Sequence, residues 1–174
     1  MTLSRGELAD RLGAVAIVDG SFRLRSGLTT TRYFDKYRFE ADPGLLAAVA
    51  EQLSELVPDG IDVLAGLELG GVPVATALSL VTGLPTAFIR KQAKEYGTAR
   101  LAEGADIDGR RVLVVEDVVT TGGQVVRSSD DLRERGAIVS DALCVVDRQQ
   151  GGREALGEMG ITLTALVTGD EVGL

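Results

Sequence analysis

Apolar and polar residues follow two periods along this chain, one typical of helices and one typical of strands. Helix-start signals stand at Ser4, which opens a capping box with Glu7, and at Asp42-Pro43, which supplies an N-cap and a first-turn proline. Helices are predicted over residues 5–12, 72–81, 124–135 and 153–158, with another from Pro43 to the breaker at 58–60. Strands are predicted over residues 22–25, 33–39, 61–67, 86–90, 110–117, 138–147 and 161–168.

Strands and helices alternate from residue 42 onward, which predicts an α/β fold with a mainly parallel sheet covered on both faces. A chain of 174 residues suits a single domain with a sizeable core, and no repeat or linker divides it. Residues 91–108 lack clear periodicity and are long for a connection. Such loops are usually functional lids or disordered segments.

The most informative segment is VLVVEDVVTTGG, at residues 112–123. Its apolar run predicts a strand buried on both faces, with Glu116 and Asp117 at the edge where ligands bind in open α/β sheets. The Thr-Thr-Gly-Gly turn before a helix predicts an anion pocket built from backbone N–H groups. Two acids beside that pocket suit a ligand that also carries hydroxyls or a cation, such as a sugar phosphate with Mg²⁺. The plain alternative is a strand and turn with two solvated acids.

Overall composition narrows the function classes. The net charge of −8 and the pI of about 4.6 argue against a general nucleic-acid or membrane-surface binder. The N-terminus has no apolar signal region and no run approaches the length of a membrane span, so we expect a cytoplasmic protein. Histidine is absent, which excludes imidazole catalysis and leaves hard, oxygen-bound cations as the expected metals. The single cysteine, Cys144, is expected in the core.

Residues 112–123 resemble the phosphoribosyl pyrophosphate (PRPP) motif of the type I phosphoribosyltransferases. The resemblance implies that family's fold: a mainly parallel central sheet flanked by helices, a small N-terminal hood over about residues 1–40 and a flexible loop, within one domain spanning 1–174. In the family the paired acids face the ribose hydroxyls and the Thr/Gly loop holds the 5′-phosphate. The residues that this implies for PRPP binding are Glu116, Asp117, Val118, Val119, Thr120, Thr121, Gly122, Gly123 and Gln124.

A second segment, RKQAKEYG at residues 90–97, holds three cations in a chain with only three lysines. It is typical of a loop that closes over a polyanion, although a solvated basic loop is the plain alternative. It resembles the R-K-x-x-K-x-H-G loop of orotate phosphoribosyltransferases, which implies that Arg90, Lys91, Lys94 and Tyr96 bind PRPP. Tyr96 stands where that pattern has histidine; a phenol donates a hydrogen bond but carries no positive charge at neutral pH.

The resemblance extends to other segments. Residues 22–27 are similar to the family's F-x-L-[KR]-S-G segment, which implies that Arg25 lies near the base. Arg148 matches an orotate-contacting arginine, whose guanidinium suits a carboxylate, and Thr120 matches a threonine that touches both ligands. The plain alternative for Arg25 and Arg148 is that each is a surface charge. Residues 68–71 match the pyrophosphate loop, where Glu68-Leu69 departs from a common aromatic–Lys pair.

Together these matches imply a Mg²⁺-dependent orotate phosphoribosyltransferase of de novo pyrimidine (UMP) biosynthesis, with Lys91, Lys94 and Asp117 as catalytic residues. Mg²⁺ would be held mainly by PRPP and water. The loop is shared between dimer partners in the family, so a homodimer is expected, with Lys91 acting in the neighbour's site. One alternative is a phosphoribosyltransferase for another base. The other is a PRPP-binding regulator that contacts nucleic acid, which would need a basic surface that this chain lacks.

Overall fold

The computed structural model describes residues 3–23, 27–91 and 101–174. The chain begins with helix α1, whose N-cap Ser4 and Glu7 form the predicted capping box. A two-stranded antiparallel hairpin and a short helix follow it. The bounds of these elements are α1 (Arg5–Ala16), β1 (Ile17–Arg23), β2 (Thr29–Phe34) and α2 (Tyr37–Glu40).

The remaining strands form one six-stranded sheet: β3 (Val63–Leu67), β4 (Thr86–Ile89), β5 (Ala102–Gly104), β6 (Arg111–Val119), β7 (Ile138–Asp147) and β8 (Thr162–Thr168). Their order across the sheet is β5-β4-β3-β6-β7-β8. All neighbouring strands are parallel except β5, which pairs antiparallel with β4 at the edge. The other helices are α3 (Pro43–Ser54), α4 (Gly71–Thr82), α5 (Gly123–Arg133), α6 (Gly152–Glu158) and α7 (Gly169–Val172).

Two hydrophobic clusters cover the sheet, one on each face. Side chains alternate along β6, so that Leu113 and Val115 join one cluster while Val112 and Val114 join the other. Helices α1, α3 and α4 contribute to the first cluster, and α5 and α6 to the second. Because β3 and β6 are buried on both faces, their sequences are nearly continuous apolar runs. The prediction of a mainly parallel, doubly covered sheet is confirmed.

The two ends of the described chain pack together. Leu8 and Leu12 of α1 lie in the same cluster as Val172 of α7. Arg5 forms a bidentate ion pair with Glu171, whose second contact measures 2.8 Å between Nη2 and Oε2. The termini therefore close one side of the first hydrophobic cluster.

Some predicted elements were wrong or incomplete. The predicted strand over residues 33–39 ends at Phe34, and its second half is helix α2. Strand β1 begins at Ile17 rather than near residue 22, because its first half pairs with the end of β2. Strand β5 and helix α7 were not predicted. Helix α7 carries a local signal, the capping box of Thr168 and Glu171, whereas β5 is only three residues long.

Within the three described ranges, every helix is too short or too polar to cross a membrane.

Candidate active site

The carboxyl ends of the central strands surround a cavity of about 370 Å³. Its walls are the β6–α5 segment at residues 116–125, Glu68 and Leu69 after β3, and Lys91 after β4. Lys36, Tyr37 and Arg127 complete the lining. The volume lies within the range of roughly 300–1,000 Å³ that small-molecule sites occupy. The cavity stands at the sheet edge where ligands bind in open α/β folds.

The paired acids form the floor of this site, and both are buried. Asp117 is fully buried and Glu116 is 8% exposed. Asp117 Oδ1 accepts the Val118 N–H at 2.6 Å, and Glu116 Oε1 accepts the Asp117 N–H at 3.1 Å. Lys36 Nζ lies 2.5 Å from Asp117 Oδ2. The strand's own backbone and one ammonium group therefore hold the two carboxyls in place.

Burial and mutual repulsion shift the protonation of these groups. Burial raises the pKa of Glu116 well above its usual range, and the negative charge of Asp117 adds to the effect. Burial also raises the pKa of Glu40, to about 8, with further contributions from a hydrogen bond to Asp117 and from its charge. For Lys36, burial acts to lower the pKa, but the charge and hydrogen bond of Asp117 outweigh it and the pKa is raised.

The Thr/Gly turn opens helix α5 next to the acids. Gly122 is the N-cap residue, with a φ of 78°, and no side chain caps the helix. Because first-turn N–H groups have no acceptor inside a helix, they face the cavity as donors for an anion. Thr120 and Thr121 are exposed and bring hydroxyl donors to the same place. This arrangement suits a phosphate, as the sequence predicted.

The turn is braced from behind by helix α6. A Cβ on Gly152 would lie 2.6 Å from Val119 Cγ1, and one on Gly122 would lie 3.1 Å from the Gly152 Cα. The two glycines therefore allow the Thr/Gly turn to pack directly on the start of α6.

The basic segment is described only at its beginning. Lys91 lines the cavity of its own chain, whereas the resemblance implied that it acts in the neighbour's site. Its backbone N–H donates to Glu68 Oε2 at 2.9 Å. Arg90 lies outside the lining of this cavity, with its Nε 3.9 Å from Glu103 Oε1. The predicted site residues Arg25, Lys94 and Tyr96 lie outside the described residues.

Arg148 stands at the end of β7, next to the end of β6. Its backbone N–H donates to Val119 O at 2.8 Å. Its side chain is half-buried, and burial lowers its pKa. Asp147 shapes this turn, since its Oδ1 accepts the Gln149 N–H at 2.8 Å and its Oδ2 lies 3.3 Å from Arg153 Nη2. Arg148 is therefore fixed beside the cavity rather than in its lining.

Sequence reasoning missed four residues at or behind this site: Lys36, Tyr37, Glu40 and Arg127. The signal for Lys36 was its rarity, because the other two lysines already stood in the basic segment. Lys36 and Tyr37 were hidden by the wrong strand prediction over residues 33–39, and Glu40 directly follows that segment as the last residue of α2. Arg127 follows Gly123 by four positions on α5, a helical spacing that carries a side chain to the same face.

A protein-built metal cage is not visible in the described part of the chain. No three potential metal-ligating side chains cluster among residues 3–23, 27–91 and 101–174. The available donors are the carboxylate oxygens of Glu116 and Asp117, which suit hydroxyls and hard cations. These donors fit a Mg²⁺ ion that is held mainly by a phosphorylated substrate and water.

Comparison with known proteins gives the family. The model of the phosphoribosyl transferase domain matches residues 38–158. A protein of Nocardioides sp. named orotate phosphoribosyltransferase is 50% identical over 172 residues, covering 99% of this chain and 96% of the relative. The chain belongs to the orotate phosphoribosyltransferase family. The orotate phosphoribosyltransferase of Halobacterium salinarum is 48% identical over 159 residues, with 91% and 90% of the two chains covered.

A solved structure supports the same assignment. The crystal structure of the Mycobacterium tuberculosis orotate phosphoribosyltransferase in complex with PRPP matches with a TM-score of 0.85 and 31% identity. The match covers 98% of this chain and 99% of that one. The chain has the type I phosphoribosyltransferase fold, and the predicted family and fold class are confirmed.

Proposed function

We propose that this protein transfers the phosphoribosyl group of PRPP to N1 of orotate, giving orotidine 5′-monophosphate and pyrophosphate in pyrimidine biosynthesis. One observation carries the proposal: the buried Glu116–Asp117 pair, the uncapped start of α5 and the cation Lys91 meet in one cavity. A sugar phosphate that also bears pyrophosphate needs these three kinds of contact. The PRPP complex of the M. tuberculosis relative supports this ligand.

The donor side of the site binds the sugar. The first-turn N–H groups of α5, with the hydroxyls of Thr120 and Thr121, hold the 5′-phosphate. The ribose hydroxyls donate hydrogen bonds to the carboxylate oxygens of Asp117 and Glu116. Because these acceptors are fixed by backbone hydrogen bonds, little reorganisation is required when the ribose binds. With the 5′-phosphate and the hydroxyls held there, the ribose C1 faces the part of the cavity lined by Lys91, Glu68 and Leu69.

The cations act on the leaving group. In the reaction orotate N1 gives up its proton to solvent and attacks C1 with inversion. The C1–O bond to pyrophosphate breaks through a transition state with oxocarbenium character, and pyrophosphate leaves with the bonding electron pair. Lys91, with Arg90, Lys94 and Tyr96 of the same segment, stabilises the departing negative charge. Mg²⁺, when bound through PRPP and water, supplies further positive charge there. Orotate is oriented by Arg148, Thr120 and Arg25. Because the reaction depends on positioning the two substrates and stabilising the leaving group, it requires no imidazole.

We further propose that the enzyme is a cytoplasmic homodimer with shared sites. Support comes from exposed apolar side chains next to the cavity, because such patches are typical of interaction surfaces. Leu69 is 59% exposed and Phe88 is 37% exposed, and both line a second cavity with Val72 and Arg90. A partner copy seated there would lie close to the first residues of the basic segment.

The test of this function is orotate consumption, followed by ultraviolet absorbance with PRPP and Mg²⁺. Loss of orotate that requires both PRPP and Mg²⁺ is expected. A reaction without PRPP serves as the control. If PRPP binds while orotate persists, the base assignment is wrong, and the same assay with other bases identifies the acceptor. If nucleic acid is retarded in a gel without any turnover, the regulator alternative replaces the enzyme.

A further inference from the structure

One cation in the candidate active site has no part in the proposed reaction. Lys36, the N-cap residue of α2, lines the cavity, and its Nζ lies 2.5 Å from Asp117 Oδ2. We propose that Lys36 binds the pyrophosphate group of PRPP and supplies the positive charge that the turn at residues 68–71 lacks. This inference deepens the proposed function and rests on it, because PRPP is taken as the ligand.

The ammonium group of Lys36 lies beside the turn at residues 68–71, although the two segments are far apart in sequence. Both meet at one atom, Asp117 Oδ2. A Cβ on Gly70 would overlap this oxygen, and the Lys36 ammonium contacts the same oxygen. The first two residues of the turn line the same cavity as Lys36. The Lys36 ammonium is therefore next to both the ribose-binding acids and the turn that the family resemblance assigns to pyrophosphate.

The turn itself brings no positive charge to this place. It consists of Glu68, Leu69 and two glycines, whereas an aromatic–Lys pair is common at the first two positions in the family. The Glu68 carboxylate accepts the Lys91 N–H at 2.9 Å, so a negative group stands at a turn assigned to a polyanion. Like charges placed together disfavour binding. A pyrophosphate bound at this turn therefore requires a cation from another element.

The other described cations of the cavity lie in different parts of it. Arg127 lies over the start of α5, since a Cβ on Gly123 would be 3.5 Å from its Nη1, and so belongs to the 5′-phosphate pocket. Lys91 follows β4, and the strand order β4-β3-β6 places the turn after β3 between Lys91 and the end of β6. Lys36 contacts β6. A pyrophosphate at the turn is therefore flanked by Lys91 on one side and by Lys36 on the other.

The Lys36 side chain has donors left for a ligand. An ammonium group carries three N–H donors, and the close contact with Asp117 Oδ2 uses one of them. The side chain is 31% exposed although it reaches a fully buried carboxyl. The Tyr37 ring, whose centroid lies 5.4 Å from Nζ, favours the cation further. Lys36 can therefore keep its ion pair with Asp117 while it donates to an anion in the cavity.

The alternative is that Lys36 serves only to neutralise Asp117. A buried carboxylate needs such a partner, and the loss of Lys36 would then disturb every ligand that uses Asp117 to the same degree. The proposed contact differs, because it concerns the pyrophosphate alone. Ribose 5-phosphate carries the ribose hydroxyls and the 5′-phosphate of PRPP but no pyrophosphate. The ratio of the affinities for these two ligands therefore separates the two roles.

The experiment is direct or competitive calorimetric titration of the full-length protein with PRPP and with ribose 5-phosphate, each with Mg²⁺ and without orotate. Lys36→Met keeps the apolar stem of the side chain and removes its charge. Arg110→Met is the matched control, since Arg110 is exposed and precedes β6 at the opposite end of the strand from the acids. Melting curves verify folding. If Lys36→Met is unfolded because Asp117 is unpaired, K36M/D117N replaces it and is compared with D117N.

We expect Lys36→Met to weaken PRPP binding roughly tenfold more than it weakens ribose 5-phosphate binding, because a charge-assisted hydrogen bond to the pyrophosphate is lost. The same fall in the affinity ratio is expected between D117N and K36M/D117N. Arg110→Met should leave both affinities at the wild-type values.

An unchanged ratio of the two affinities in Lys36→Met overturns the proposal and leaves Lys36 as a partner of Asp117 alone. Failure of the proposed function looks different, because the titrations contain no base. If the wild type binds PRPP and Lys36→Met lowers the ratio, but no orotate is consumed, the role of Lys36 stands and the base assignment is overturned. Wild-type protein that binds no PRPP would overturn both.

Discussion

Asp117 shows how much of this site is decided by the surroundings of one side chain. The carboxyl is fully buried, one oxygen is fixed by the Val118 N–H, and the other faces Lys36, Glu40 and the Cα of Gly70. A buried charge is tolerated only when it is paired and hydrogen-bonded. Changes at Asp117 or Gly70 should therefore alter ligand binding more than changes at the exposed residues around them.

Asp117→Asn tests the ribose-hydroxyl role. The amide lacks the negative charge, so hydrogen bonds worth about 1.5–3 kcal/mol to a charged group are weakened and PRPP affinity should fall roughly 10- to 150-fold. Calorimetric titration with PRPP and Mg²⁺ measures the change. Asp59→Asn, at an exposed position away from the cavity, is the control. Unchanged affinity in Asp117→Asn would refute the role.

Gly70→Ala tests the close approach of backbone and carboxyl. The new methyl group would overlap Asp117 Oδ2, so either the carboxyl or the turn must move, and both the melting temperature and PRPP affinity should drop. Gly157→Ala is the matched control, because this glycine lies inside α6 with open space around it. That variant should be more stable by about 0.5–1 kcal/mol. A Gly70→Ala protein that melts and binds like the wild type would contradict the packing described for Gly70.

At the scale of secondary structure, local patterns predicted the elements whose cause is local. Strand β7 has the predicted bounds, because its apolar run is buried between two parallel neighbours. The prediction failed around Tyr37, where aromatic and charged residues alternate as in a strand but form α2. Phe39 is fully buried with Phe34, at 6.3 Å between ring centroids, and that tertiary packing outweighs the local pattern.

The site was predictable to a similar degree. Glu116 to Gln124 could be read as one motif, because strand, turn and helix start are contiguous in sequence. Lys36 and Glu40 could not be linked to it, since β6 and the segment before α3 meet only in the folded protein. Residues 68–71 were linked to the site by the family resemblance, but the hydrogen bond from the Lys91 N–H to the Glu68 carboxylate, across the ends of β3 and β4, could not be predicted.

Lys91→Ala tests the role of the segment after β4. Lys91 is exposed, so its truncation should leave the fold intact, while the loss of its charge removes most turnover. A single charge-assisted contact made in the transition state is worth roughly 2.7–4 kcal/mol, or about 10²–10³ in kcat. Initial rates of orotate loss measure the effect, with Arg11→Ala, at an exposed position on α1, as the control. Full activity in Lys91→Ala would show that the segment is wrongly assigned.

At the scale of the whole molecule, acidic groups dominate, with a net charge of −8 at pH 7. Within this acidic chain, the described cations Lys36, Lys91 and Arg127 line the cavity that we assign to PRPP. A local positive lining inside an acidic protein draws an anionic ligand to one place on the surface. The acids behind the lining make the stability of the fold depend on pH.

Ionisation of Glu40 should lower the stability of the folded protein as pH rises from about 4.5 to about 8, because folding raises the pKa of this carboxyl from the first value to the second. The folded state keeps a proton that the unfolded chain releases, so the contribution is present at lower pH and lost at higher pH. Melting temperatures of the wild type and E40Q between about pH 5 and about pH 9 measure it. The melting temperature of E40Q should increase relative to that of the wild type as pH rises. A constant difference between the two would contradict the shifted pKa.

The scarcity of lysine has a practical consequence for handling the protein. Side-chain amines occur at only three positions, and Lys36 and Lys91 both line the substrate cavity. Reagents that couple proteins to sensor chips or dyes through lysine side chains would therefore attach at the place where the ligand enters. Thiol coupling offers no substitute, because the one cysteine is fully buried. An appended affinity tag is the attachment that leaves the substrate cavity open.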